Sequence, residues 1–286
     1  MDGTICLGPS VTKHVAILGC GPAGLMVAHA ANMMGWSFNV YSRRMKSTLH
    51  GAQYLHKPIP KVDTDGPHLV EYKLRGTPEE YRHKVYGNSW DGTVSPEDFL
   101  EHHNAWDLRR AYEWLWKQYE SAIIDYIIPT KGNLALAGKE TAEWIIDYEK
   151  GLRGADLVVS TVPRKIWAAE GDVFESTKIW ALGDSDPDGG LASQPDFTVI
   201  CDGTDLCNWY RSAKIFNHST LEWPYFKLWE RPPWNGAVIV EKPLRCDSVA
   251  AGHYVHLGRY GAWEKGILTS DVFYQAMKVF AIDTIQ

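Results

Sequence analysis

A chain of 286 residues carrying a formal net charge of −6 has no basic surplus with which to hold a phosphate backbone, which excludes nucleic-acid binding as its main task. Five cysteines, Cys6, Cys20, Cys201, Cys207 and Cys246, are odd in number and show no CxxC spacing, so they read as reduced thiols rather than a disulfide frame or a metal site. No apolar run reaches the roughly 20 residues of a membrane span, and the first residues lack a secretion signal's charged start and apolar core; a cytoplasmic location away from membranes is expected.

After a lead-in over Met1 to Thr12, Val15 to Leu18 reads as a short buried strand that breaks into Gly19-Cys20-Gly21-Pro22-Ala23-Gly24 and resumes as a helix from Leu25 to Met34. A second strand, Ser37 to Tyr41, closes a βαβ unit. In a dinucleotide fingerprint, Gly19 makes the tight turn, Gly21 lets a pyrophosphate approach the backbone, and Gly24 lets the helix pack close to the strand. Pro22 and Ala23 start the helix whose free N–H groups would receive the pyrophosphate.

The acidic residue expected about twenty positions on, which bonds the ribose, is replaced by Ser42-Arg43-Arg44. A serine can still bond a ribose hydroxyl, and the arginines either accept a 2′-phosphate or form a solvated strand end, so FAD and NADP both stay open.

Farther along, Met45 to Lys57 is a glycine-hinged extended piece in which Gln53 and His56 are placed to look onto a cofactor ring; an ordinary loop histidine is the competing reading of His56. Pro58 to Gly66 reads as a domain crossing, and Leu69 to Tyr86 as polar and strand-like. Ser95-Pro96-Glu97-Asp98-Phe99 has the serine, proline and acids of a helix start. Three- and four-residue steps from Ala105 to about Tyr119 predict a helix with a core-facing aromatic stripe. Ile123 to Ile128 and Glu143 to Glu149 read as strands.

Ala155 to Pro163 is a buried parallel-type strand stopped by proline. Ligands gather beyond the carboxyl ends of such strands, which puts Thr161 and Pro163 near the cofactor. Trp180 to Asp184 is a further strand, and Ser185 to Pro195 a polar loop. Val199 to Asp205 and Tyr210 to Phe216 follow, the second with strand alternation and Arg211 on one face, suited either to a phosphate or carboxylate or to cation–π packing. Glu222 to Pro233 reads as an aromatic loop or sheet edge, and Val238 to Glu241 as a short strand. The chain closes on a strand, the turn Gly258-Arg259-Tyr260-Gly261, and a helix from about Ser270 to Phe280 capped by Ser270 with Asp271 beside it.

With both ends in view the chain resembles the FAD-binding flavoproteins of the glutathione-reductase-like superfamily, and within it the amine-oxidase and UDP-galactopyranose mutase branch. The turn Gly19 to Leu25 is common to the superfamily. Gly51-Ala52-Gln53-Tyr54-Leu55-His56 looks like the mutases' segment passing the flavin, and Ser160 to Pro163 like the strand end near the cofactor. Tyr210-Arg211-Ser212 is similar to the triplet whose arginine meets the substrate diphosphate, and Gly258 to Gly261 to the turn that holds FAD.

The expected architecture is α/β: a Rossmann-like FAD-binding domain from 11–60, 150–185 and 245–286, with a smaller inserted α+β substrate domain from 61–149 and 186–244. FAD is the expected cofactor, with NADPH as a reductant. The expected function is an FAD-dependent oxidoreductase acting on a small polar or amine-bearing molecule, with Gln53, His56 and Arg211 as catalytic candidates. A non-redox flavin mutase or lyase on a nucleotide-linked or modified-base substrate is the first alternative, and a non-catalytic dinucleotide-binding module the second.

Overall fold

The computed structural model describes residues 12–50, 54–87, 99, 102–126, 152, 154–167, 171–183, 194–225, 233–247 and 254–285. Gln53, the helix start at 95–98 and the strand expected over 143–149 lie outside the described residues.

The first βαβ unit forms as its hydrophobic pattern dictates. Strand β1 (His14–Leu18) is an apolar run buried along all but its first residue, α1 (Pro22–Met33) follows, and β2 (Ser37–Ser42) returns alongside β1. Strands β3 (His68–Arg75) and β4 (His103–Ala105) then leave for a second sheet, with α2 (Pro78–Tyr86) between them. The chain comes back through α3 (Leu108–Tyr119), β5 (Ile123–Asp125) and β6 (Leu157–Ser160). It then builds β7 (Val173–Gly183), β8 (Thr198–Asp202), β9 (Arg211–Ile215), β10 (His218–Pro224) and β11 (Val238–Asp247) into the second sheet. Strand β12 (Tyr254–His256), the short α4 (Gly258–Ala262) and α5 (Thr269–Ile285) finish the first layer.

The first sheet has five strands in the order β12-β6-β1-β2-β5, every pair parallel. Successive strands β1 and β2 are neighbours while β6 lies on the other side of β1, so strand order reverses at β1, where the glycine turn sits. One face of this sheet is buried under α1, α3 and α5, whose Leu25, Tyr112, Leu115, Phe273 and Phe280 share one core with Ile17, Val40 and Ile123. The second sheet has seven strands in the order β11-β7-β10-β9-β8-β3-β4, antiparallel except between β3 and β8. One of its faces packs Ile179, Ala181 and Val199 against Tyr81 and Val85 of α2, and the other packs Trp180, Leu182, Leu221 and Trp223 together.

The α/β fold is as expected, with three local differences. Half of the expected strand-like stretch Leu69–Tyr86 is helix α2, because Thr77 and Glu80 form a capping box and Pro78 opens the helix. Only Leu108–Tyr119 of the helix expected from Ala105 is helical, since Asp107 accepts from the Arg109 and Arg110 N–H groups and fixes the start. Glu222 to Pro224 belongs to β10, an interior strand rather than an edge or loop.

Strand β7 and the end of β11, Arg245 to Asp247, lie in the seven-stranded sheet, while α3 and β5 serve the five-stranded one. A uniformly apolar strand such as Trp180–Leu182 carries no mark of which sheet it enters; pairing of β7 with β10 and β11 decides it.

Candidate functional site

The glycine turn is shaped by close approach. Gly19 has φ of 102°, and a Cβ there would lie 2.7 Å from Thr161 Oγ1. A Cβ on Gly24 would lie 1.8 Å from the Gly19 carbonyl oxygen, so helix and turn touch backbone to backbone. Gly21 is the N-cap of α1 with Pro22 at the first helical position, and no side chain caps it. The N-terminus of α1 is therefore open to an anion. A Cβ on Gly21 would meet only Ser47 Oγ, at 3.4 Å.

Thr161 supports this turn from β6: its N–H and its Oγ1 both donate to the Leu18 carbonyl at 2.9 Å. Pro163 accepts the Ile166 N–H at 3.0 Å and starts a single helical turn. From the other side, the Tyr112 hydroxyl of α3 donates to the Cys20 carbonyl at 3.0 Å and accepts the Ser47 N–H at 3.0 Å. The Cys20 thiol in turn lies 3.3 Å from the Arg43 carbonyl oxygen. The stretch after β2 is thereby tied across the front of the glycine turn.

The closing turn meets the opening one. A Cβ on Gly258 would lie 3.3 Å from Ala23 Cβ, and one on Gly261 would lie 2.5 Å from the Ser160 carbonyl oxygen. The first glycine turn, the end of β6 and α4 thus form one cradle at the carboxyl end of the parallel sheet. Arg259 reaches the Pro243 carbonyl on β11 at 3.5 Å, and its buried Nε has no partner among the described residues. Tyr260 donates to the Glu241 carbonyl at 3.0 Å.

Ser270 does not cap the last helix. It is fully buried inside the first turn with Oγ unpartnered among the described residues, and Asp271 Oδ2 accepts the Leu268 N–H instead. Asp271 also pairs with Lys57 at 3.0 Å. At the end of β2, Ser42 closes the strand, Arg43 is exposed, and Arg44 lies 3.8 Å from Glu120.

A second set of groups lies on the face of the seven-stranded sheet covered by α2. Glu222 on β10, almost wholly buried, accepts from Arg211 on β9, from the Tyr210 hydroxyl and from Lys242 on β11, the last at 2.7 Å. Burial pushes the Glu222 carboxyl toward neutrality, but Arg211 and Lys242 overcome it and hold its pKa well below the carboxylate range. Burial lowers Lys242 to about 7, with Arg211 and Arg259 reinforcing the drop against Glu222. Arg211 and Lys242 share a single carboxylate with Arg259 near enough to act on Lys242, and the Arg211 Nε is also buried without an acceptor among the described residues. This corner carries surplus positive charge in a low-dielectric setting, an arrangement complementary to an anion.

His56 lies beside this corner, its ring 4.4 Å from Tyr54 and 5.5 Å from His103. Burial and His103 lower its pKa to about 4, so it is neutral near pH 7. Tyr54 and Tyr72 join hydroxyl to hydroxyl at 3.1 Å. The structure therefore gathers the glycine residues, Thr161 and Gly258 in one place, sets Arg211 with Glu222 in another, and packs His56 against Tyr54 and His103. Tyr112, Glu222 and Lys242 were not among the expected site residues. The signal for the last two was charge set into apolar stretches, Glu222 alone in Thr220-Leu221-Glu222-Trp223 and the pair Glu241-Lys242 after Val238-Ile239-Val240.

The sequence matches no known family profile and no curated protein. The structure is similar to that of 2,6-dihydroxypyridine-3-hydroxylase from Arthrobacter nicotinovorans, with a TM-score of 0.53 and 9% identity over 96% of this chain and 85% of that one. Its likeness to the tetracycline destructase Tet(55) has a TM-score of 0.51 at 10% identity, over 96% and 81%. For the tetrameric 2-methyl-3-hydroxypyridine-5-carboxylic acid oxygenase the values are 0.50 and 12%, over 96% and 89%. The chain has the fold of these enzymes. The likeness spans both sheets, and at these identities it is one of architecture alone.

Proposed function

We propose that this protein is an FAD-dependent oxidoreductase that acts, in the manner of a hydroxylase, on a small anionic molecule. The observation that carries the reading is the meeting of Gly258 with Ala23, which brings the closing turn onto the uncapped start of α1 at the sheet's switch point. Gly19, Gly21, Ala23 and Gly24 would hold the pyrophosphate, with Gly258 closing the cradle and Ser42 near the ribose. When bound, FAD supplies the hydride and oxygen chemistry. The protein's own part is to orient the substrate, exclude water and hold charge.

Arg211, Lys242 and Arg259 support an acid over an amine, because a cationic substrate would meet like charge at this buried corner. Tyr54, Tyr72 and neutral His56 offer flat surfaces beside it. NADPH as an external reductant is part of the proposal, since a hydroxylase needs one. A nucleotide-linked substrate on a mutase-like enzyme is the second reading, favoured by the same surplus charge, which also suits a diphosphate.

An absorbance spectrum of the purified chain, with the released cofactor identified by mass, tests the first part. Stoichiometric NADPH and oxygen consumption with a candidate aromatic acid supports the hydroxylase reading; turnover of a nucleotide sugar that needs reduced flavin yet consumes no reductant supports the mutase. A chain that binds no flavin refutes both.

A further inference from the structure

The end of β2 lacks the acid that such a cradle uses for the ribose, and the neighbouring strand holds one. Strand β5 runs parallel to β2 with Val40 opposite Ile123 and Ser42 opposite Asp125. Val40 and Ile123 both point into the core beneath α1. Side chains alternate along a strand, so Ser42 and Asp125, two residues on, leave their strands on that same side, the side of the open α1 N-terminus. Asp125 is the last residue of β5, at the carboxyl edge where ligands of parallel sheets collect, and it is exposed.

The carboxylate is also held in place. Its Oδ1 accepts the Arg44 N–H at 3.3 Å, which ties it to the residue two past Ser42. Among the described residues no other group bonds it, leaving Oδ2 available. The Tyr126 N–H, next in the chain, donates to the Ser42 carbonyl at 2.9 Å and fixes the register to the strand's last residue.

Resting on the FAD reading above, we infer that Asp125 supplies from β5 the ribose-binding carboxylate that β2 lacks. It accepts hydrogen bonds from the adenosine ribose hydroxyls and selects against a 2′-phosphate by like-charge repulsion. Arg44, whose backbone N–H donates to Asp125 and whose guanidinium faces Glu120, is then an ion-pair partner of Glu120 rather than half of an NADP pocket.

The test is the affinity of the flavin-free full chain for ADP and for 2′-deoxy-ADP, by calorimetry. Wild type should bind ADP about tenfold more tightly than the deoxy analogue, the size of a charge-assisted hydrogen bond. Asp125→Ala and Asp125→Asn should remove most of that preference with an unchanged melting temperature, because the side chain is exposed. Ser42→Glu in the Asp125→Ala background should restore it by returning the acid to β2. Variants that keep the wild-type ratio overturn the role of Asp125 while leaving the cofactor site standing. A wild-type chain that binds neither ADP nor FAD overturns the cofactor site and the role together.

Discussion

The hydroxyl of Tyr112 and the carbonyl of Cys20 are joined at 3.0 Å, so that a helix arriving from the second sheet pins the middle of the glycine turn. The same hydroxyl takes the Ser47 N–H, which makes one atom responsible for the spacing between the turn and the segment after β2 that crosses it. Tyr112→Phe keeps the ring in the core and removes both bonds. The expected cost is about 1–2 kcal/mol of stability together with a several-fold weaker hold on FAD, checked by denaturant titration and by flavin fluorescence.

Glycines 21 and 24 separate binding from folding. A methyl on Gly21 meets only Ser47 Oγ at ordinary contact distance, whereas one on Gly24 would overlap the Gly19 carbonyl. Gly21→Ala should leave the melting temperature nearly unchanged and lower flavin occupancy after purification. Gly24→Ala should lower both. Equal flavin content in wild type and Gly21→Ala would remove the pyrophosphate from this turn.

Glu222 is the sole carboxylate among the described residues that bonds Arg211 and Lys242. Glu222→Gln leaves those half-buried cations without a counter-charge and should cost about 3 kcal/mol, measured by urea unfolding. Replacing Arg211, Glu222 and Lys242 together by Met, Leu and Met should recover most of that stability, since the whole set of charges is removed. The triple variant should still bind FAD and lose its affinity for aromatic acids.

Lys242 gives the site a pH dependence. With its pKa lowered to about 7, it is cationic below that value and neutral above. Affinity for a simple anion such as benzoate should therefore fall as pH rises through 7, and binding should take up protons because the anion favours the charged amine. Stability follows the opposite slope from this group. Between about 7 and the ordinary lysine value of 10.5 the unfolded chain holds the proton that the folded chain has released, so the folded state gains as pH rises through that window. Lys242→Met should flatten both profiles.

The first βαβ unit was legible because its signal is local: an apolar run, three glycines and a second apolar run define strand, turn and helix without reference to the rest of the chain. The buried charge set was not, since Arg211, Glu222 and Lys242 sit on three strands, and only the pairing of β9, β10, β7 and β11 brings them to one face. Asp125 shows the same limit. The sequence motif directs attention to β2, and Asp125 comes beside Ser42 only through the β2–β5 register. Helix α2 was missed for a different reason. Its mean composition is polar, and the capping box of Thr77 and Glu80, rather than periodicity, marks it.

The contact between Gly258 and Ala23 also bears on how the protein is made. The chain leaves the first layer twice to build the second, and returns with β12, α4 and α5 only after β11. During synthesis the opening motif must wait, half of its cavity unformed and the face of α1 that meets Phe273 uncovered, until those last elements emerge from the ribosome. On the FAD reading proposed above, the cofactor is captured only once those elements have emerged, and a nascent chain arrested before α4 should hold no flavin.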